Sequence, residues 1–326
     1  MRSLVLLPLI STLALAGPGA VVPVPAPAPA PAPAPTLRPG LATLKKLPPP
    51  PAPAPAPVQK PLSPFPTDAE CVALGSPIAP VPFTPGETLD FDVDALGARA
   101  ASMTMQVLPL RDGVMPLEVS VETNTFFSKV RRVKGVGKSY LNPKTLRPVR
   151  YFEEAQENEI HRVADVSFKK NAARLVSDIT WPAEGGNGKE QKNHWEGDLR
   201  FGNDVADVAG VVHLLRSMPM KEGTKLCVDV YGIRAIWRVW GTIKPREHVS
   251  IPLGEFETWH LAGEAARLDI PNQRREVHVW VTDDARRLPL AALGMIDLGA
   301  VRATLKAYSR PGEKSVRAQS KADIKW

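Results

Sequence analysis

The chain is short of three things: cysteine, with only two in 326 residues; acid near its start, with none before Asp68; and long apolar runs. Its longest apolar stretch, Leu4 to Ala16, is broken by Pro8 and is too short to cross a bilayer. No transmembrane segment is therefore expected in the mature chain. No cysteine follows Ala16 directly, so an acyl anchor of the bacterial lipoprotein kind lacks its attachment residue. The two cysteines that exist, Cys71 and Cys227, have no histidine at ligand spacing, which argues against a zinc site.

What stands at the start instead is a secretory pattern. Arg2 supplies the charged n-region, Leu4 to Ala16 the apolar core, and Ala14-Leu15-Ala16 an Ala-x-Ala cleavage signal. Residues 1–16 are thus expected to be a signal peptide, and the protein to be exported, periplasmic or associated with the outer envelope. Residues 17–66 alternate Pro and Ala around Pro25 to Pro35 and Pro51 to Pro57. Proline fixes φ and removes backbone donors, so this stretch can join neither a helix nor a sheet. If polyproline-like throughout, the linker reaches on the order of 150 Å at about 3.1 Å per residue. It lacks an arginine-flanked PxxP core, which disfavours a role as ligand for a proline-binding module.

The formal charge of +7 belongs mainly to the two ends. Residues 1–66 carry Arg2, Arg38, Lys45, Lys46 and Lys60 without any acid, and 306–326 carry six basic residues against Glu313 and Asp323. Between them, residues 67–305 hold 30 basic and 32 acidic side chains, a net of −2. Nucleic acid as a partner would need a basic face on the folded body and is not expected. Residues 67–308 are assigned to one β-rich globular domain, long enough to bury a substantial core, and 309–326 to a basic C-terminal tail. In an exported protein Cys71 and Cys227 are expected to form one disulfide; free buried thiols and a redox role are the alternatives.

After Cys71 the pattern has a period of two. Thr88 to Asp94 alternates apolar and acidic residues, and Met103 to Val107 and Leu117 to Glu122 repeat the alternation around the Arg111-Asp112-Gly113 turn, predicting a three-stranded meander. Phe126, Phe127, Val130 and Val133 fall at helical spacing and predict a short helix before a strand near Ser139 to Leu141. Arg150 to Glu154, Glu159 to Phe168 and Arg174 to Thr180 read as further strands, and Gly185-Gly186-Asn187-Gly188 as a flexible loop. One long helix is predicted from Asn203, capped by Asn203 or Asp204, with Val205, Val208, Val211, Val212, Leu214 and Leu215 on one face and Pro219 as its stop. Strands resume at Leu226 to Tyr231 and Arg234 to Thr242; Glu255 to Leu268 and Arg274 to Thr282 form a hairpin around Pro271-Asn272, and Val301 to Tyr308 closes the series. The fold class is α+β, mainly β: a twisted or curved antiparallel sheet with one packed helix.

Motifs that carry chemistry are weak. Gly137-Lys138-Ser139 imitates the end of a phosphate loop, but Arg132 stands where its first glycine belongs and a strand follows, so a β-turn is the expectation. The six histidines include no i, i+4 pair, and there is no Gly-x-Ser-x-Gly elbow. His260 and His278 are placed to approach each other across the hairpin beside Trp259 and Trp280. Asp283 and Asp284 point to opposite faces if extended and read as a turn before Arg286-Arg287. No catalytic, metal or cofactor residue is assigned, and no ligand-binding residue can be named.

Taken in order, several segments resemble one family. Phe83-Thr84-Pro85-Gly86-Glu87-Thr88-Leu89, Tyr140-Leu141-Asn142-Pro143 with Leu146-Arg147-Pro148, Asp207 to Gly223 with Leu214-Leu215-Arg216-Ser217, and Leu253-Gly254-Glu255-Phe256 with Trp280 to Pro289 are similar to the exported bacterial family known as domain of unknown function 3108. Asn142 departs from the family's usual Asp. The resemblance implies a predominantly antiparallel sheet, curved like that of periplasmic lipoprotein carriers, and supplies no catalytic residue. The motif residues Pro85, Gly86, Glu87, Gly254, Phe256, Trp280, Asp284, Arg286, Arg287 and Pro289 are read as structural. Pro85-Gly86 sets a turn, Glu87 accepts from backbone donors, Gly254 reverses the chain so that Phe256 enters the core, and Arg286 or Arg287 pairs with Asp92 or Asp94. Function is then expected to be non-enzymatic, binding a lipid-like apolar or amphiphilic ligand or an envelope-assembly protein. The alternatives are a scaffolding module for protein or cell-wall polymer and, behind it, an envelope hydrolase.

Overall fold

A computed structural model describes residues 64–182, 190–296 and 299–318. The leader, most of the linker and the Gly185 to Gly188 run lie outside the described residues, as does the end of the chain.

The first half is a run of adjacent antiparallel strands. These are β1 (Thr88–Ala95), β2 (Ala98–Val107), β3 (Met115–Thr123), β4 (Val133–Leu141), β5 (Pro148–Glu157), β6 (Ile160–Lys169), β7 (Ala172–Trp181) and β8 (Gln191–Arg200), each hydrogen-bonded to the next. The alternation predicted for the first three is realised in β1, where Leu89, Phe91, Val93 and Ala95 are buried and the intervening positions are not. Outward acids are tied across strands: Asp90 accepts from Thr104 at 2.7 Å, and Asp92 from Arg99 at 2.7 Å and Lys306 at 2.9 Å.

The second half continues with β9 (Val205–Asp207), helix α1 (Gly210–Arg216), β10 (Lys225–Gly232), β11 (Ala235–Ile243), β12 (Glu247–Ile251), β13 (Gly254–Arg267), β14 (Arg274–Thr282), β15 (Pro289–Ile296), β16 (Gly299–Ser309) and β17 (Val316–Arg317). Pairing runs β9, β10, β11, β13, β14, β15, β16 and then β1, so the C-terminal half joins the N-terminal meander through β16. All ladders are antiparallel except β9 with β10. Among the described residues no ladder joins β8 to β9 or β10, so the 17 strands form an open sheet. At Gly241 and Gly263, paired in register, β11 and β13 approach so closely that a Cβ on Gly263 would meet the Trp240 carbonyl at 2.0 Å.

The predicted long helix is corrected. Only seven residues are helical, and the Val205 to Asp207 segment is instead a strand. The exposed edge of β10 offers this segment a ladder, Asp229↔Val205 to Tyr231↔Asp207, and Val-Ala-Asp is as compatible with a strand as with a first helical turn. The end cap differs too: neither Asn203 nor Asp204 caps the helix, whereas Asp207 accepts from the amides of Ala209 (2.9 Å) and Gly210 (2.7 Å). The predicted helix near Phe126 is a three-residue 3-10 turn, Phe127–Lys129, and Val133 already belongs to β4. Gly137-Lys138-Ser139 is neither a phosphate loop nor a turn; it lies in the middle of β4, paired to β3 and β5.

The short helix fills the hollow of the curled sheet. Leu214 and Met218, with Val208 and Ala209 before them, join the main apolar cluster that includes Leu89, Met105, Leu117, Leu141 and Leu175 from the meander. Leu215, its neighbour, faces Ile243, Trp259, Leu261 and Val281 on the other arm. Adjacent residues therefore serve two cores, and α1 sits between them as the shared filler. Cys71 and Cys227 form a disulfide with a Cα–Cα distance of 5.1 Å, tying the segment before β1 to β10 over 156 residues. On the chain-entropy model, closing so long a loop stabilises by about 4–5 kcal/mol.

Candidate functional site

Three of the family-like segments, far apart in sequence, meet at the end of α1: those holding Glu87, Arg216 and Arg286-Arg287. Arg216 is fully buried and donates Nη1 to Glu87 Oε1 at 2.6 Å, Nη2 to Glu87 Oε2 at 3.3 Å, Nε to the Arg287 carbonyl at 2.8 Å and Nη2 to the Arg286 carbonyl at 3.0 Å. Arg310 reaches the same Glu87 from beyond β16, at 2.9 Å. Glu87 thus accepts from two guanidinium groups rather than from backbone donors, which corrects the expectation for its carboxylate. Burial pulls the Arg216 guanidinium below its ordinary value and Glu87 opposes that shift. Almost every donor of Arg216 is committed to protein oxygen.

The surrounding motif residues support it. Gly86 has φ +90°, and a Cβ there would meet Pro311 at 2.6 Å, so this turn needs glycine on both counts. Asp284 accepts from Thr282 Oγ1 and from the amides of Arg286 and Arg287, folding the turn that aims both carbonyls at Arg216. Arg286 pairs with Asp284 at 2.6 Å and donates to Tyr308 Oη at 2.5 Å, while Arg287 donates to the carbonyls of Arg216 and Met218. Arg286 and Arg287 bond elsewhere than to Asp92 or Asp94; those acids lie on outward positions of β1, where Asp92 pairs with Arg99 and Lys306. Asp283 faces elsewhere, accepting from Trp259 Nε1 at 2.7 Å and Arg246 at 2.8 Å. Pro289 opens β15, Gly254 opens β13 at φ +135°, and Phe256 is half-buried against the main cluster.

A second polar centre lies under the meander. Ser139 donates to Asp207 at 2.5 Å, and burial pushes the Asp207 carboxyl up to about 6 against the hydrogen bonds from Ser139, Gly210 and Ala209. On the same inner face Arg162 pairs with Glu153 at 3.0 Å and Arg131 pairs with Glu157. Sequence reading met Ser139 in the Gly137-Lys138-Ser139 run and Asp207 at the start of a family-like segment. It gave neither of them, nor Arg131, Glu153, Glu157 or Arg162, a buried polar role, because an acid in an alternating strand is normally assigned to the wet face.

The outer face of β12–β14 carries a line of titratable groups. Glu247 stands 3.2 Å from His260 Nδ1, His260 Nε2 stands 2.8 Å from His278 Nδ1, and His278 Nε2 stands 3.0 Å from Glu276. Both imidazoles stack on Trp280, whose ring lies 4.5 Å from that of His260. The predicted approach of His260 and His278 is present, and Trp280 rather than Trp259 is the ring beside them. Burial lowers the His260 value, with Glu247 opposing. Such a row can share a proton. Among the described residues no group of three or more His, Cys, Asp or Glu is arranged to hold a metal ion.

The model of a family of proteins of unknown function, DUF3108, matches residues 90–306. The chain belongs to the DUF3108 family. The match begins just after the Glu87 motif and takes in α1, the β13–β14 hairpin and the Asp284 turn. No curated protein matches this DUF3108 chain. Among solved structures it is similar to a β-barrel-like protein of domain of unknown function 1849 from Brucella abortus, at 6% identity and TM-score 0.42, covering 70% of this chain and 98% of that one. A protein of YmcC-like fold from Bacteroides fragilis aligns at 7% identity and TM-score 0.31, over 74% and 100% of the two chains. A Chlamydia trachomatis protein aligns at 8% identity and TM-score 0.30, over 73% and 93%.

Proposed function

We infer that this DUF3108 protein is a non-enzymatic, exported envelope protein whose β-rich body acts as a binding or scaffolding module through its outer surface. The observation that carries the reading is the occupied hollow: α1 places Leu214 and Leu215 into two apolar clusters, and Arg216 is clamped by Glu87 behind them. A carrier of an acyl chain needs that volume empty and apolar. The leader pattern and the Pro/Ala linker support export and separation of the body from its point of attachment. No helix of the described residues is long and apolar enough to cross a membrane. Among the described residues past β16, Arg310 is spent on Glu87 and β17 pairs with β16.

Two measurements test this. Native mass spectrometry and lipid extraction of the purified mature chain are expected to find no stoichiometric acyl ligand, and a fluorescent fatty acid is expected not to enter. One bound acyl chain per protein overturns the surface-module reading. Fractionation with N-terminal sequencing is expected to recover an envelope protein beginning at Gly17; recovery of the uncleaved chain in the cytoplasm overturns export.

A further inference from the structure

The connection between β3 and β4 has an unusual division of labour. Its buried half is heavily bonded: Asn124 Nδ2 donates to the Arg99 carbonyl, the Phe127 amide donates to Asn124 Oδ1 at 2.9 Å, the Ser128 amide to the Asn124 carbonyl at 2.9 Å, and the Arg132 amide to Asn158 Oδ1 at 2.9 Å. Phe127 is buried and Arg131 pairs with Glu157, and both anchor the loop on its inner side. That arrangement points Phe126 and Val130 into solvent, 71% and 78% exposed. At the same end of the neighbouring strands the β1–β2 turn presents Leu96, 65% exposed; Asn124 ties the loop to the start of β2 through the carbonyls of Arg99 and Ala100.

Single exposed apolar residues are ordinary, but three on two connections at one end of the meander are held out at a cost to solubility. The charge around them has one sign in the loop itself. From Asn124 to Arg132 there are Lys129, Arg131 and Arg132 and no acid, and neither Lys129 nor Arg132 has a carboxylate partner among the described residues. Of the acids nearby, Glu122 pairs with Lys134 and Asp92 with Arg99 and Lys306, leaving Asp94 near the end of β1 and Glu159 in the adjoining β5–β6 turn. Apolar tips flanked by unpaired basic residues fit a surface that is apolar beneath an anionic layer.

We propose that this rim, with Leu96, Phe126 and Val130 as inserting tips and Lys129 and Arg132 as headgroup contacts, docks the body on an anionic lipid surface. The proposal rests on the reading of the protein as an exported surface module and names the surface. Shallow insertion suits the loop: the side chains already stand clear of the fold, so no rearrangement is needed, and the basic residues sit at the depth of the phosphates.

The test is co-sedimentation of the full mature chain with vesicles of phosphatidylethanolamine and phosphatidylglycerol, and with phosphatidylcholine vesicles as the neutral arm. Binding to the anionic vesicles is expected, weakened by added salt. Phe126→Ser with Val130→Ser is expected to weaken it by about tenfold or more, the size of burying such side chains, and Lys129→Glu to weaken it and to lower its salt sensitivity, because one screened attraction is lost. Both variants change exposed side chains, so thermal melts matching the parent show that the fold is retained. No sedimentation with anionic vesicles, equal binding to both vesicle types, or full binding by the Phe126→Ser, Val130→Ser variant overturns the proposal. Those outcomes leave the ligand-free, exported module standing, because its own tests are lipid content and location; an acyl chain found inside the body would fell that module and leave the vesicle result unchanged.

Discussion

Arg216 and Glu87 meet at 2.6 Å with neither side chain exposed to solvent, across 129 positions of sequence. The pair joins the last residue of α1 to the threshold of β1, and Arg286 and Arg287 close over it with carbonyl oxygens. A helix of seven residues has little stability of its own. Its position in the hollow is therefore held by apolar contacts on two sides and by this ion pair at its end.

Removing one partner leaves the other charge buried. Glu87→Gln is expected to lower unfolding free energy by about 3–5 kcal/mol, read from urea denaturation of the disulfide-bonded protein. Glu87→Leu combined with Arg216→Met is expected to cost less than the sum of its two single changes, because no uncompensated charge remains. Additive losses would show that the two groups act independently.

Asp207 makes stability fall as pH rises. In the unfolded chain its carboxyl ionises near the ordinary 3.8, whereas burial holds it protonated in the folded state up to about 6. Between those values the unfolded state gives up its proton first, so raising the pH favours unfolding; above about pH 6 the effect is complete. Relative to Asp207→Asn, the parent is expected to lose up to about 3 kcal/mol across this window. Denaturation curves collected from pH 4 to pH 7 would show parallel slopes if Asp207 ionised normally.

The histidines separate by environment. His248, exposed and hydrogen-bonded to Glu257 and Glu255, is expected to titrate above 6.5, and His260, partly buried beside His278, below it. Glu247→Gln is expected to lower His260 further, since Glu247 is the group that favours its charged form. Imidazole resonances followed by NMR across pH decide this; a His260 value unmoved by the substitution would mean that Glu247 does not face it in solution.

Much of the sheet is legible from local pattern. The alternation of Thr88 to Asp94 and the Pro271-Asn272 turn lead directly to β1 and to the β13–β14 hairpin, because side chains in a strand alternate faces with a period of two. The same reasoning misses β8, whose Gln191 to Arg200 sequence is mostly polar and exposed, and whose strand state depends on the edge offered by β7. It also places Val205 to Asp207 in a helix, where apolar spacing fits either state and the free edge of β10 decides.

The sites were less accessible than the strands. His260 and His278 could be paired across a predicted hairpin because the turn between them sets the register. Nothing local distinguishes the buried Glu87 from the outward Asp90, and Ser139, Asp207, Glu153 and Arg162 look like ordinary polar positions until the sheet curls over them.

By itself, then, the sequence determined the β-rich class, the strand faces of the meander, the availability of Cys71 for Cys227 and the confinement of net positive charge to the two ends. These follow from residue type and spacing over a few positions. Only the tertiary structure decided that the hollow is filled by α1, that Glu87 meets Arg216 and Arg310, and that Leu96, Phe126 and Val130 share one rim. Each depends on which distant strands pair, and that choice is made by the summed burial of the whole sheet rather than by any segment of it.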